Sequence, residues 1–149
     1  MQKLNKIVIT SGYFNPLHIG HINLIRGAKN LGDFLIVIVN NDKQVKLKGG
    51  VPFMPEQERI EIVKALRYAD DVILSVDKDK SVCKSLKKIA EKYSGSKLFF
   101  ANGGDRHAGN IPETEILKEF GIKTVDNVGG GKIQSSSWLI KKAKNVFSQ

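Results

Sequence analysis

Apolar residues are distributed along this chain in two alternating patterns. Short continuous runs appear as "KIVIT" at Lys6 to Thr10, "FLIVIV" at Phe34 to Val39, "DVILS" at Asp71 to Ser75, "KLFFA" at Lys97 to Ala101 and "IKTVD" at Ile122 to Asp126. Such runs predict strands, and their continuity, rather than polar alternation, predicts burial on both faces of a parallel sheet. Between them the apolar spacing lengthens to three and four. Ile22, Leu24, Ile25 and Ala28 predict a helix from Ile19 to Asn30, with Gly32 placed to end it. Pro55 opens a second helix, in which Ile60, Val63, Ala65 and Leu66 keep the spacing up to Tyr68. Ser81 can cap a third, lined by Val82, Leu86, Ile89, Ala90 and Tyr93. A short helix runs from Pro112 to Phe120 with Gly121 as its stop. The last begins at Ser135-Ser136-Ser137 and is expected to carry Trp138, Leu139, Ala143 and Val146 inward.

Five strand–helix alternations imply right-handed crossovers and an α/β, Rossmann-like, doubly wound five-stranded parallel sheet with helices on both faces. No repeat, linker or compositional break divides the chain, so one domain over 1–149 is expected. In such sheets ligands bind beyond the carboxyl ends of the strands. The segment just after Thr10 is therefore where a ligand is expected.

Composition narrows the picture modestly. The longest apolar run is far too short to cross a bilayer, so no membrane role is expected. A lone cysteine, Cys83, cannot form an internal disulfide and reads as a small buried side chain on a helix. With no signal-like N-terminal stretch, a cytoplasmic protein is expected. The net charge of +9 concentrates anions near the surface without choosing among them. Lys87, Lys88 and Lys92 read as a solvated face.

The stretch "TSGYFNPLHIGHINLI", Thr10 to Ile25, carries the chemistry. Ser11-Gly12-Tyr13-Phe14 lets the backbone turn tightly against a ligand, and the helix after His18 offers its unpartnered first amides to an anion. Two imidazoles there, His18 and His21, can donate to phosphate oxygens. Gly20 between them leaves room for close packing.

"SGYFNPLHIGH" resembles the signature of the nucleotidyltransferase superfamily, His-x-Gly-His directly after the first strand, and within it the small cytidylyltransferase-like group. The likeness extends through "NNDKQVKLKGGVPFMPEQERIEIVKALRYADDVI", "NGGD" at Asn102 to Asp105, and "GGGKIQSSSWLIKKA", the hydroxyl-rich opening of the last helix. It implies transfer of a nucleoside monophosphate from a triphosphate to a small phosphorylated polyol, sugar or alcohol, with release of pyrophosphate. CTP is favoured as donor, with ATP as the alternative, as in heptose-phosphate or FAD-synthetase types. His18 and His21 would stabilise the triphosphate, and Lys46 and Lys48 would add positive charge, Lys48 being the better positional match. Ser135 and Ser136 would hold the β- and γ-phosphates. Ser11, Gly12, Tyr13, Phe14, Gly20, Gly104, Asp105 and Lys132 would complete the nucleotide site. Asp42, Arg106 and Asn110 would face the acceptor, and Arg59 would be a structural partner or orient the acceptor beside them. Mg²⁺ is expected to arrive with the triphosphate, since no carboxylate cluster suggests a protein-built metal cage. Similar proteins are commonly homodimers, so a homodimer is expected. Nucleic acid is not.

Two features depart from the group. "NVGGGK" stands where the glycerol-phosphate enzymes place an arginine, which leaves Lys132 as the nearby cation. "DRHAGNIPETE" comes after the fourth strand, and its Asp105, Arg106, His107, Asn110 and Glu113 are expected to bind the acceptor or read the base. An aminoacyl-tRNA synthetase fragment is a competing reading, because His18 to His21 spell "HIGH", but no "KMSKS" run is present. A binding domain that keeps the fold and does no chemistry is the other.

Overall fold

The structure is a computed structural model that describes residues 5–104, 106 and 109–147. Five parallel strands form its sheet: β1 (Lys6–Gly12), β2 (Phe34–Val39), β3 (Asp71–Leu74), β4 (Lys97–Ala101) and β5 (Lys123–Val125). Their order is β3-β2-β1-β4-β5, so the chain steps outward from β1 on one side and then on the other. The switch point lies between β1 and β4, where Ile7 pairs with Leu98 and Ile9 with Phe100. This is the expected doubly wound α/β arrangement.

Each central strand feeds two cores. In β1 and β2, Ile7, Ile9, Ile36 and Ile38 face one side and pack with Leu86 and Ile89 of α4 (Cys83–Lys92) and Leu117 of α5 (Thr114–Glu119). Val8, Leu35, Val37 and Val39 face the other, against Ile25 and Ala28 of α1 (Ile19–Lys29) and Ile60 and Val63 of α3 (Glu56–Lys64). All four isoleucines and all four residues of the second set are at most 1 % exposed, and each contributes roughly 1.5–3 kcal/mol. That two-sided burial is why the strands read as unbroken apolar runs.

Several details differ from the sequence reading. The segment that carries Lys46, given no element above, forms a helix, α2 (Asp42–Leu47). It lacks an apolar stripe because Gln44, wholly buried, takes the inward position. The Gln44 amide donates to the carbonyls of Asp79 and Ser81 and accepts from Asn40 and Asn41. Gly49 (φ +93°) closes α2: its N–H and that of Gly50 return to the carbonyls of Lys46 and Val45. Asp77, more than Ser81, caps α4, since its carboxylate accepts from the amides of Lys84 and Ser85. The last helix, α6 (Ser136–Phe147), does not turn its apolar stripe into the core. Trp138 is 50 % and Val146 63 % exposed, and Ala143 is exposed too, so the inward orientation expected for them is corrected. No helix among the described residues is long and apolar enough to cross a membrane.

Candidate active site

His18 is the N-cap of α1, with an extended backbone (φ −147°, ψ 179°). Its Nδ1 accepts the N–H of Gly20 at 3.0 Å, and Nδ1 of His21 accepts the N–H of His18 at 3.2 Å. The pair thus plays the part of the Ser and Glu of an ordinary capping box. An Nδ1 that accepts an amide proton carries a lone pair, so in each neutral ring the proton sits on Nε2. The rings stack 3.8 Å apart at 31°, and the edge of Phe14 meets His21 at 4.8 Å. Burial pushes the His21 pKa down to about 3, helped by His18 and Lys48, and burial also lowers that of His18. Two neutral Nε2–H donors therefore stand at the positive end of α1. A Cβ on Gly20 would come within 2.8 Å of His18 Cε1, which explains the glycine between them.

The loop before the histidines is held from below. Arg59 is fully buried, and its guanidinium donates to the carbonyls of Tyr13 (2.7 Å), Asn40 (2.6 Å) and Met54 (2.9 Å) and to Asp42 Oδ1 (2.7 Å). Asp42 was expected to face the acceptor, and that expectation is corrected; of the two roles read for Arg59, structural or substrate-orienting, these contacts fit the structural one. All three guanidinium nitrogens are engaged by the fold, and neither residue lines the cleft. Asn15 works beside them: its side chain donates to Val51 O and accepts the amides of Phe53 and Met54. Phe14, expected at the nucleotide, lies beneath the loop at φ +52° and 1 % exposed.

The facing wall is the start of α6. Ser135 Oγ accepts the N–H of Trp138 as an N-cap, and Ser136 Oγ donates to Pro16 O at 2.8 Å, tying this wall to the histidine loop. The first amides of α6 have no intrahelical acceptor and suit an anion. Gly129 (φ +84°) brings the preceding loop against α1, where a Cβ would lie 2.7 Å from the backbone nitrogen of Leu24. Between the walls is a cleft of about 570 Å³ over the switch point, a size suited to a small-molecule ligand.

Cations gather on its rim. Lys48 Nζ lies 4.3 Å from the centroid of the Tyr13 ring, and its pKa is lowered by desolvation and by Arg106 and Lys132. Burial raises the Tyr13 phenol, with Arg106 opposing. Lys132 Nζ sits 4.9 Å over the ring of Trp138. Arg106 pairs with Glu113 at 3.3 Å.

The structure thus brings His18, His21, Gly20 and Lys48 to one cleft, together with Ser11, Gly12, Tyr13, Gly104, Arg106, Lys132, Ser135 and Ser136. Besides Phe14, Asp42 and Arg59, two further expected residues stay outside it. Lys46 points away on α2, exposed, and Asn110 lies on the surface beyond the lining. Asp105 and His107 fall outside the described residues. Sequence reasoning passed over Asn15, Leu24, Gly103 and Gln134, all of which line the cleft. Asn15 was within the quoted stretch, but its clamp on residues 51–54 leaves no local signal. Among the described residues no group of three His, Cys, Asp or Glu side chains could hold a metal ion.

The chain is similar to known proteins. An FAD synthase of Ferroglobus placidus is 37 % identical over 118 residues, which cover 79 % of this chain and 72 % of that protein. An FAD synthase of Pyrococcus abyssi is 48 % identical over 68 residues, so the chain spans about half its length (46 %), and the match takes in 45 % of this chain. The crystal structure of a lipopolysaccharide core biosynthesis protein from Thermoplasma volcanium superposes with a TM-score of 0.67 at 24 % identity, over 83 % of this chain and 96 % of that one, a likeness of fold. Residues 9–145 match the family described as cytidylyltransferase-like, and the chain belongs to that family.

Proposed function

We propose that the protein is a nucleotidyltransferase that moves AMP from ATP to the phosphate of flavin mononucleotide, releasing pyrophosphate. The observation that carries the reading is the reciprocal His18–His21 cap, which turns two neutral N–H donors toward a cleft bounded opposite by the amino end of α6. The choice of ATP over CTP rests on the relatives named FAD synthase. FAD is flavin mononucleotide joined to AMP through a diphosphate, so its synthesis by nucleotidyl transfer takes the adenylyl group of ATP.

In this reading a phosphate oxygen of the acceptor attacks the α-phosphorus, and the bond to the β-phosphate oxygen breaks in line. The protein contributes placement and charge compensation rather than covalent chemistry. The Nε2–H groups of His18 and His21 donate to triphosphate oxygens and strengthen that contact as charge moves toward the leaving pyrophosphate. The amides of Ser136 and Ser137 cradle the distal phosphates at the positive end of α6. Lys48 stands over Tyr13 on the cleft lining, where the attacking phosphate of the acceptor would enter. These donors are neutral or cationic and fit an anion that brings its own Mg²⁺, which would screen the triphosphate charge.

The test is calorimetric binding of ATP and of CTP, each with Mg²⁺, followed by an assay for FAD and pyrophosphate from ATP and flavin mononucleotide. Selective ATP binding and equal yields of the two products are expected. Selective CTP binding would return the donor to the cytidine nucleotide, and no binding of either would sink the reading.

A further inference from the structure

Glu113 is a carboxylate with only 1 % of its surface exposed, at the foot of the segment that connects β4 to α5. Burying a carboxylate costs several kcal/mol unless its oxygens are matched. One oxygen, Oε1, accepts the N–H of Val82 at 3.1 Å, at the entry to α4. The other, Oε2, meets Arg106 Nη2 at 3.3 Å, and that arginine side chain is 45 % exposed on the lining of the cleft. A capping role would account for the first contact alone. The second fixes the direction of a long cationic side chain. Across the opening, Lys48 is held over the ring of Tyr13, and Arg106 acts electrostatically on both of those groups.

We propose that Glu113 is a positioning residue that aims Arg106 across the cleft toward Lys48, so that the two cations grip the phosphate monoester of the acceptor. The assignment rests on the nucleotidyl-transfer reading above and adds the acceptor subsite to it. The triphosphate already has the two histidine donors and the α6 amides on the other walls. Arg106 and Lys48 come from the segments after β4 and α2, and both line the cleft with Tyr13. A monoester dianion matches two convergent cations, and the planar guanidinium can take two of its oxygens at once. Glu113 does not touch the substrate; it acts through Arg106.

The experiment uses the full chain with saturating Mg²⁺-ATP and varied flavin mononucleotide, for wild type, Arg106→Ala, Glu113→Gln and the double variant. Glutamine still accepts the Val82 N–H but no longer holds the arginine by charge. Each single change should raise the KM for flavin mononucleotide about tenfold or more. The double variant should be no worse than Arg106→Ala, and the calorimetric affinity for Mg²⁺-ATP should stay within about twofold. Should Glu113→Gln not fold, the exposed Arg106→Ala decides. An unchanged acceptor KM in Arg106→Ala overturns the clamp while leaving nucleotidyl transfer intact. Weakened Mg²⁺-ATP binding with unchanged acceptor KM assigns these cations to the triphosphate and equally overturns it. Additive losses in the double variant show that Glu113 does not act through Arg106. A wild type that makes no FAD takes down the flavin reading and the clamp together.

Discussion

Nδ1 of His21 accepts the backbone N–H of His18, so the second histidine of the motif fixes the first by its main chain rather than by ring-to-ring hydrogen bonding. The contact settles which nitrogen carries the proton before any ligand arrives.

This cap also sets the pH response. The His21 pKa is near 3 in the fold against about 6.5 unfolded, and that of His18 is also lowered. Below 6.5 the unfolded chain binds protons that the folded one refuses, so stability is full above that value and declines as pH falls toward 3. Heteronuclear NMR of the rings should show bare Nδ1 and protonated Nε2 in both histidines at pH 7, with no titration of His21 above pH 5. A His21 ring titrating near 6.5 would refute the cap.

Gly20→Ala should impair binding more than folding. The added methyl lies 2.8 Å from His18 Cε1, and the ring must swing off its cap to make room. We expect Mg²⁺-ATP affinity to fall about tenfold or more by calorimetry, with a loss of stability of about 1 kcal/mol, the value of a helix cap.

Arg59→Met removes the donor shared by the carbonyls of Tyr13, Asn40 and Met54 and leaves the Asp42 carboxylate without its ion pair. A loss of about 3–5 kcal/mol is expected in urea denaturation, typical of breaking one side of a buried charged network. Asp42→Asn should cost clearly less, because the three carbonyl contacts survive.

Gly129→Ala places a methyl 2.7 Å from one backbone atom and 2.8 Å from another in α1, at a φ of +84°. Backbone cannot yield as a side-chain tip can. The substitution should destabilise by more than about 2 kcal/mol, and Gly130→Ala, with open space around it, by less, both read from urea denaturation.

Much of the fold was legible because β1 and β2 are buried on both faces, and that burial writes itself as unbroken apolar runs. The short helix α2 was not, since its inward residue is Gln44, a polar side chain made tolerable by hydrogen bonds to the end of β2 and to the distant carbonyls of Asp79 and Ser81. Trp138 misled for the opposite reason. Its spacing marks an apolar stripe, but whether a stripe meets a core depends on what α6 packs against. Within the site, the motif identified His18, His21 and Gly20 through local spacing. Arg59 was noticed but its orientation stayed open, because sequence cannot tell a cation facing a cleft from one closing its floor.

The guanidinium of Arg59 has a wider consequence. It gathers the histidine loop, the end of β2, the start of α2 and the approach to α3 at one buried point. None of these segments can open without breaking contacts that serve the others. The geometry of the histidine loop is then tied to the cooperativity of the fold through one side chain of α3.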